Sequence, residues 1–196
     1  MISRLTTCCR KSLYTLVLLT AIVYAATPSV SDDFTERRIT AGARIFRALL
    51  AADVDIEQKA GRHGELRLCL LYIDDSGNAK KAAATLINRD DPRIRNLKVR
   101  IDMLSFAEST ALDRDRFAGV FLTQPLNDKE LKTLTAFAND QHLVLFSPFE
   151  GDVERGVQSG IVVEARVRPY LNTNALRTAQ VQLKSFFMKV AKTYEE

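Results

Sequence analysis

The chain is poor in the residues that build metal and redox centres. Its 196 residues include three Cys, two His and no Trp. Cys8 and Cys9 are adjacent near the start, and Cys69 lies alone in an apolar run, where we expect it to be a buried free thiol. No zinc-type spacing, phosphate-binding loop, glycine-rich dinucleotide turn or nucleophile elbow is present. We therefore expect no metal, no cofactor and no enzymatic activity.

An excess of one charge is also missing once the first 25 residues are set aside. The whole chain has 28 Lys and Arg against 24 Asp and Glu, a net charge of +4. Arg4, Arg10 and Lys11 come before residue 26 with no acid beside them, which leaves 25 basic and 24 acidic residues. The remaining basic residues alternate with acids and have few aromatic neighbours. This pattern argues against a nucleic-acid partner.

The sequence has a single long hydrophobic run, at the start of the chain. Arg10 and Lys11 precede an apolar stretch that ends at Ala26 and is shorter than the roughly 20 residues of a comfortable membrane span. With Val23 and Ala25 as small residues near its end, the stretch is typical of a secretory signal peptide. We predict a signal peptide over residues 1–25 and one mature domain over 26–196. Cleavage after Ala26, or an uncleaved anchor, is the alternative.

Short apolar runs alternate with helical patterns along the rest of the chain. The predicted helices cover residues 33–51, 79–88, 128–138 and 173–190. The predicted strands cover residues 66–73, 97–104, 119–123, 143–146 and 161–167. Strand–helix–strand spacing occurs twice, which predicts an α/β fold. We expect a single domain with a mixed, mostly parallel sheet flanked by helices and a long C-terminal helix.

Polar side chains follow several of these strands. Asp74, Asp75 and Ser76 come directly after the first strand, and Thr123 and Ser147 end later ones. The carboxyl ends of parallel strands meet at one edge of a sheet, where α/β proteins hold ligands. These five residues therefore form a candidate small-ligand site. The alternative is that the acidic segment only makes a turn and begins the next helix.

The last third of the chain carries a longer pattern. Its pieces are Phe149, Asp152–Val157, Gly160–Val163, Val167–Asn172, Ala175–Arg177, Val181–Lys184 and Val190–Ala191. They resemble the YfiR-like family of periplasmic proteins, in which an arginine–glycine turn, here Arg155 and Gly156, precedes an apolar strand. A short polar break, a second strand ending in Asn and a final amphipathic helix follow in that family.

This resemblance implies regulation and a periplasmic location. The best-understood family members bind the periplasmic domain of an inner-membrane diguanylate cyclase and hold the enzyme inactive, so that cyclic di-GMP and biofilm formation stay low. A similar inner-membrane signalling partner is implied for this chain, and a homodimer is a fair default. The cysteine that relatives carry before the third strand has no counterpart at Arg116–Val120, so disulfide-based redox sensing is not implied.

A second hypothesis comes from a different class of protein. The candidate site at Asp74, Thr123 and Ser147 would suit a periplasmic small-ligand-binding protein that serves a sensor kinase or a transporter.

Overall fold

The computed structural model describes residues 30–61, 64–87, 92–111 and 117–195. The predicted signal peptide, Cys8, Cys9 and His63 lie outside these ranges. The chain divides into a short unit, Met1–Phe34, and a larger unit, Thr35–Glu196. The larger unit holds the α/β domain.

Helices and strands alternate through the described residues. The α-helices are α1 (Val30–Ala52), α2 (Gly77–Leu86), α3 (Asp128–Asp140), α4 (Thr173–Thr178) and α5 (Ser185–Val190). Short 3₁₀ helices cover Ile56–Lys59 and Phe106–Ala111. The strands are β1 (Glu65–Tyr72), β2 (Arg93–Ile94), β3 (Leu97–Ser105), β4 (Gly119–Leu122), β5 (Val144–Ser147), β6 (Ser159–Val163), β7 (Val167–Asn172) and β8 (Lys192–Tyr194). Within the described ranges, no helix combines the length and apolarity needed to cross a membrane.

The eight strands form one sheet in the order β2-β3-β1-β4-β5-β6-β7-β8. Strands β3, β1, β4, β5 and β6 are parallel to one another, whereas β2 and β7 run antiparallel to β3 and β6. This arrangement confirms the predicted α/β class with a mixed, mostly parallel sheet. Strands β4 and β5 are buried along their whole length, as continuous apolar runs in parallel sheets usually are.

Helices cover both faces of the sheet. On one face, the rings of Phe46, Phe121 and Phe146 pack with centroids 5.4–5.6 Å apart beneath α1. On the other face, Leu131 and Leu134 of α3 pack in a second apolar cluster. Each fully buried Phe or Leu contributes about 1.5–3 kcal/mol. The second cluster also contains Cys69, which is free and buried, as predicted.

The predicted long C-terminal helix is wrong. Helix α4 ends at Thr178, and Gln180 adopts φ +55° while Val181 N donates to the carbonyl of Leu176 over 2.9 Å. This pattern terminates a helix, because the left-handed residue turns the chain away from the helix axis. Leu183 then forms a bridge with Asp53 before α5 begins.

The apolar residues of the segment 173–190 do not share one face as a result. Phe187 is buried, but Phe186 and Val190 are 60% and 56% exposed. Their common apolar character therefore did not indicate a common core face.

The predicted strand 161–167 is two strands joined by a turn. Glu164 N donates to the carbonyl of Arg166, and Val163 pairs with Val167 across the hairpin. The apolar alternation continues through the turn because paired residues share one face. Pro169 lies inside β7.

Candidate functional site

The loops after β1 and β4 meet at the carboxyl edge of the sheet. The Gln124 side-chain oxygen accepts from the backbone N–H of Ile73 over 2.5 Å and of Asp74 over 3.2 Å. Gln124 Nε2 donates to Asp74 Oδ1 over 2.5 Å. Gln124 thereby links the two loops. The Asp74 carboxylate, at the exposed edge, is hydrogen-bonded to Gln124.

The rest of the acidic segment serves the local backbone. Asp75 Oδ1 accepts from Gly77 N over 2.9 Å, which closes a turn just before α2. Ser76 precedes α2 without a side-chain capping bond. Asp75 and Ser76 therefore have the arrangement expected if the acidic segment makes a turn and begins the next helix.

Thr123 and Ser147 lie inside the protein, with no measurable exposure. Thr123 Oγ1 donates to the carbonyl of Leu71 over 2.8 Å. Ser147 Oγ donates to Asp152 Oδ2 over 2.5 Å. Both hydroxyls therefore have internal partners, Leu71 and Asp152, rather than free groups directed at the edge.

The arginine–glycine turn is the centre of a polar network behind β5. The buried Asp152 carboxylate accepts from Ser147 and from Arg155, and Arg155 also donates to Asp128 over 2.5 Å. Burial alone would lower the pKa of the Arg155 guanidinium, but the hydrogen bonds to Asp152 and Asp128 raise it overall. Gly156 has φ +101°, a conformation that favours glycine.

Two buried amides extend this network to the strands. Asn172 donates to the carbonyl of Val153 over 3.0 Å and accepts from Ala175 N over 2.8 Å, which caps α4. Gln158 accepts from Leu145 N over 2.9 Å and donates to Asn139 over 3.0 Å. Sequence reasoning assigned no role to Gln158, because a lone glutamine gives no signal of burial.

The hairpin formed by β6 and β7 continues past its neighbours. Strand β6 pairs with β5 only through Ser159 and Gly160, and β7 pairs with β8 only over Tyr170–Asn172. We define the hairpin end as Ile161–Val163 and Val167–Pro169. Among the residues with described structure, these six pair only with each other. Val163 and Val167 at its tip are 48% and 41% exposed.

A cavity of about 240 Å³ lies at the base of the hairpin end, against the Arg155 turn. Arg38, whose side chain is only 9% exposed, lines it and donates to the carbonyl of Pro148. Burial, together with a hydrogen bond to Glu154, raises the pKa of Tyr170 to about 12, so the phenol stays protonated at neutral pH. Lys192 lies 5.7 Å from the Tyr170 ring centre and 3.1 Å from Glu164.

Neighbouring charges act on Glu164 next to this cavity. Hydrogen bonds from Lys192 and then Arg168 lower the pKa of the Glu164 carboxyl. Within the described ranges, no group of three or more His, Cys, Asp or Glu side chains is placed to hold a metal ion.

Comparison with known proteins identifies no family. No family model and no curated protein matches the chain. Among solved structures, the ABC domain in complex with L-Trp from Streptococcus pneumoniae aligns with a TM-score of 0.47 and 9% identity over 79% of this chain. A conserved domain protein from Vibrio cholerae aligns with a TM-score of 0.49 and 10% identity over 71% of this chain. The chain spans 59% and 57% of the lengths of these two proteins.

Proposed function

We propose that this protein is a periplasmic regulator of the YfiR-like type. It binds the periplasmic domain of an inner-membrane diguanylate cyclase and holds that enzyme inactive, which keeps cyclic di-GMP low and restrains biofilm formation. The observation that carries the proposal is the hairpin end, a two-stranded segment that continues past the pairing with β5 and β8 and exposes Val163 and Val167 on either side of its turn. The export-type N-terminus and the pattern around Arg155 and Gly156 add support from the sequence.

The hairpin end has the properties of a protein-binding element. Its strands have no further strand beside them in the described structure, and an unpaired strand edge can pair with a strand of another protein. Val163 and Val167 offer apolar surface beside that open edge, and burial of each would contribute about 1.5–3 kcal/mol. The hairpin is therefore suited to an extended, apolar segment of a partner.

The network behind the hairpin explains how it keeps its shape. Asp152 is bonded to Ser147 at the end of β5 and to Arg155, while Asn172 ties the end of β7 to Val153. A preorganised binding element loses less conformational entropy when its partner binds. Binding would then favour one conformation of the membrane partner, and release would let the other become populated.

The geometry gives the small-ligand hypothesis at the carboxyl edge less support than the hairpin end. Thr123 and Ser147 are buried with internal partners, and Asp75 is engaged in a turn. We therefore place the functional contact at the hairpin end rather than in that crevice.

The test measures intracellular cyclic di-GMP in a strain that lacks the protein. We expect the level to rise, and to fall again when the exported form is restored but not when a form without residues 1–25 is restored. A double variant, Val163→Glu with Val167→Glu, should fail to restore repression, because two carboxylates at the tip oppose apolar contact.

A matched variant separates loss of contact from loss of fold. Val54→Glu changes a valine that is 47% exposed outside the hairpin, and it should repress as well as the parent protein. Both proteins should be recovered from the periplasm in equal amount. An unchanged cyclic di-GMP level in the deletion strain, or full repression by the double variant, would contradict the proposal.

A further inference from the structure

A second, larger cavity of about 550 Å³ opens at the amino edge of the sheet, at the opposite ends of the parallel strands from the hairpin end. Its lining is predominantly polar. The side chains that matter here come from loops and helix ends: Asp55, Gln58, Phe117, Gln141, His142 and Gln180. None of them belongs to the carboxyl-edge residues or to the Arg155 network.

Two of these residues have a backbone conformation that is strained for any residue other than glycine. His142 and Gln180 both have φ +55°. Each follows a helix at the position usually taken by glycine, since Leu143 N bonds to the carbonyl of Ala138 and Val181 N to that of Leu176, both over 2.9 Å. Glycine would adopt this conformation without strain. Instead, the chain has two polar side chains there, and both line the same cavity.

The polar groups of the cavity are only partly used within the protein. His142 Nδ1 lies 3.1 Å from the carbonyl of Ala179, so in the neutral ring Nδ1 carries the proton and Nε2 has a free lone pair. The Gln180 carboxamide is exposed and has no hydrogen-bond partner in the described part of the chain. Gln58 and Gln141 bond only to carboxylates, Asp55 and Asp140, over 3.0 and 2.9 Å.

The charge of the cavity disfavours an anionic ligand. The carbonyl end of α3 lies at His142, and helix carboxyl ends repel negative charge. Asp55 adds a carboxylate. Lys59 also lines the cavity, but its ammonium is paired with the buried Asp53 carboxylate over 2.6 Å.

We propose that this cavity binds a neutral, polyhydroxylated small molecule, a saccharide. Carboxamides both donate and accept hydrogen bonds, and Nε2 of His142 adds an acceptor, which together meet what hydroxyl groups require of a binding site. The volume lies in the range of small-molecule sites. The cavity is separate from the hairpin end, so this proposal does not depend on the signalling partner proposed above.

The test is an NMR titration of the purified protein with neutral sugars: glucose, galactose, mannose, N-acetylglucosamine and maltose. At up to about 10 mM, a ligand with a millimolar Kd should approach saturation. We expect at least one sugar to shift the side-chain amide signals of Gln58, Gln141 and Gln180 along one saturable curve. Glucuronate, which carries a carboxylate, should bind at least about tenfold more weakly, since the helix end and Asp55 oppose it.

Two variants link binding to the strained residues. His142→Gly and Gln180→Gly should each weaken sugar binding about tenfold. For Gln180→Gly, Tm should stay equal or rise by about 2–4 °C because strain is relieved. For His142→Gly, the relieved strain is offset by loss of the hydrogen bond to Ala179, so Tm should stay within about 4 °C of the parent value. Gln182→Ala removes an exposed carboxamide outside the cavity and should bind as the parent does.

Three results would overturn the proposal. One is the absence of a saturable shift with every sugar in the panel. Another is equal or tighter binding of glucuronate. The third is unchanged affinity in both glycine variants, which would place the sugar elsewhere on the protein.

Discussion

A single buried carboxylate organises the segment after β5. Asp152 is fully buried, accepts from the Ser147 hydroxyl and is paired with Arg155. An unpaired charge at this position would carry a large desolvation penalty, so the pairing decides whether the carboxylate is tolerated. Arg155 also bonds Asp128, but that carboxylate is 89% exposed. The same guanidinium therefore holds one anion inside the fold and one in solvent.

Neutralising the buried partner should cost much more than neutralising the exposed one. Asp152→Asn should lower the free energy of unfolding by about 1–3 kcal/mol, since Arg155 loses its buried partner but is itself partly solvated. Asp128→Asn should change it by less than about 1 kcal/mol, as exposed pairs contribute little. Urea unfolding monitored by circular dichroism measures both values. Equal effects would show that Asp152 does not depend on its ion pair.

Pairing between β5 and β6 depends on a glycine. A Cβ at Gly160 would lie 2.5 Å from the Ser147 carbonyl oxygen and 2.9 Å from a methyl group of Val153. The first contact is with backbone, which cannot rotate away. The offset that carries β6 past the end of β5, and so creates the hairpin end, therefore requires Gly160. The resemblance included this glycine in its pattern, but only the tertiary contact explains it.

Adding one methyl group there should be strongly destabilising. Gly160→Ala should lower the free energy of unfolding by about 1–3 kcal/mol or more through overpacking. Gly61→Ala is the matched control, because its nearest contact would be 3.7 Å away, and it should stay within about 0.5 kcal/mol of the parent. Urea titrations of the two variants provide the comparison. If Gly160→Ala is as stable as the control, β5 and β6 do not pack as described.

The sheet as a whole is most protected at β1. This strand pairs with β3 over its full length and with β4 from Leu68 to Leu71, and its core is buried on both faces. The two strands at the borders of the sheet, β2 and β8, have two and three residues. Local opening is easiest where few pairings and little apolar surface are lost.

Hydrogen exchange should follow this order. The amides of Cys69, Leu70 and Leu71 should exchange slowest, at rates set by global unfolding, whereas those of β8 should exchange through local opening. Exchange monitored by NMR at several denaturant concentrations separates the two regimes. Protection of β8 equal to that of β1 would mean that the C-terminus is part of the same cooperative unit.

The sequence alone was sufficient to predict the alternation of strands and helices. Apolar runs such as Leu68–Leu71 and Val144–Phe146 can satisfy their burial only inside a sheet covered on both faces, so the α/β class followed from local pattern. The helix start at Asn127 was equally local, since its side chain accepts from Glu130 N and Glu130 bonds back.

Tertiary structure decided the features that depend on distant partners. No local pattern shows that Gln180 turns the chain out of its helix, that Thr123 and Ser147 are buried with internal acceptors, or that β6 passes the end of β5. The periodicity of apolar residues indicates which face of a helix or strand is apolar, but not which residues that face packs against. The burial of Thr123 and Ser147 could not be predicted from the sequence, because burial and hydrogen bonding are properties of the assembled fold.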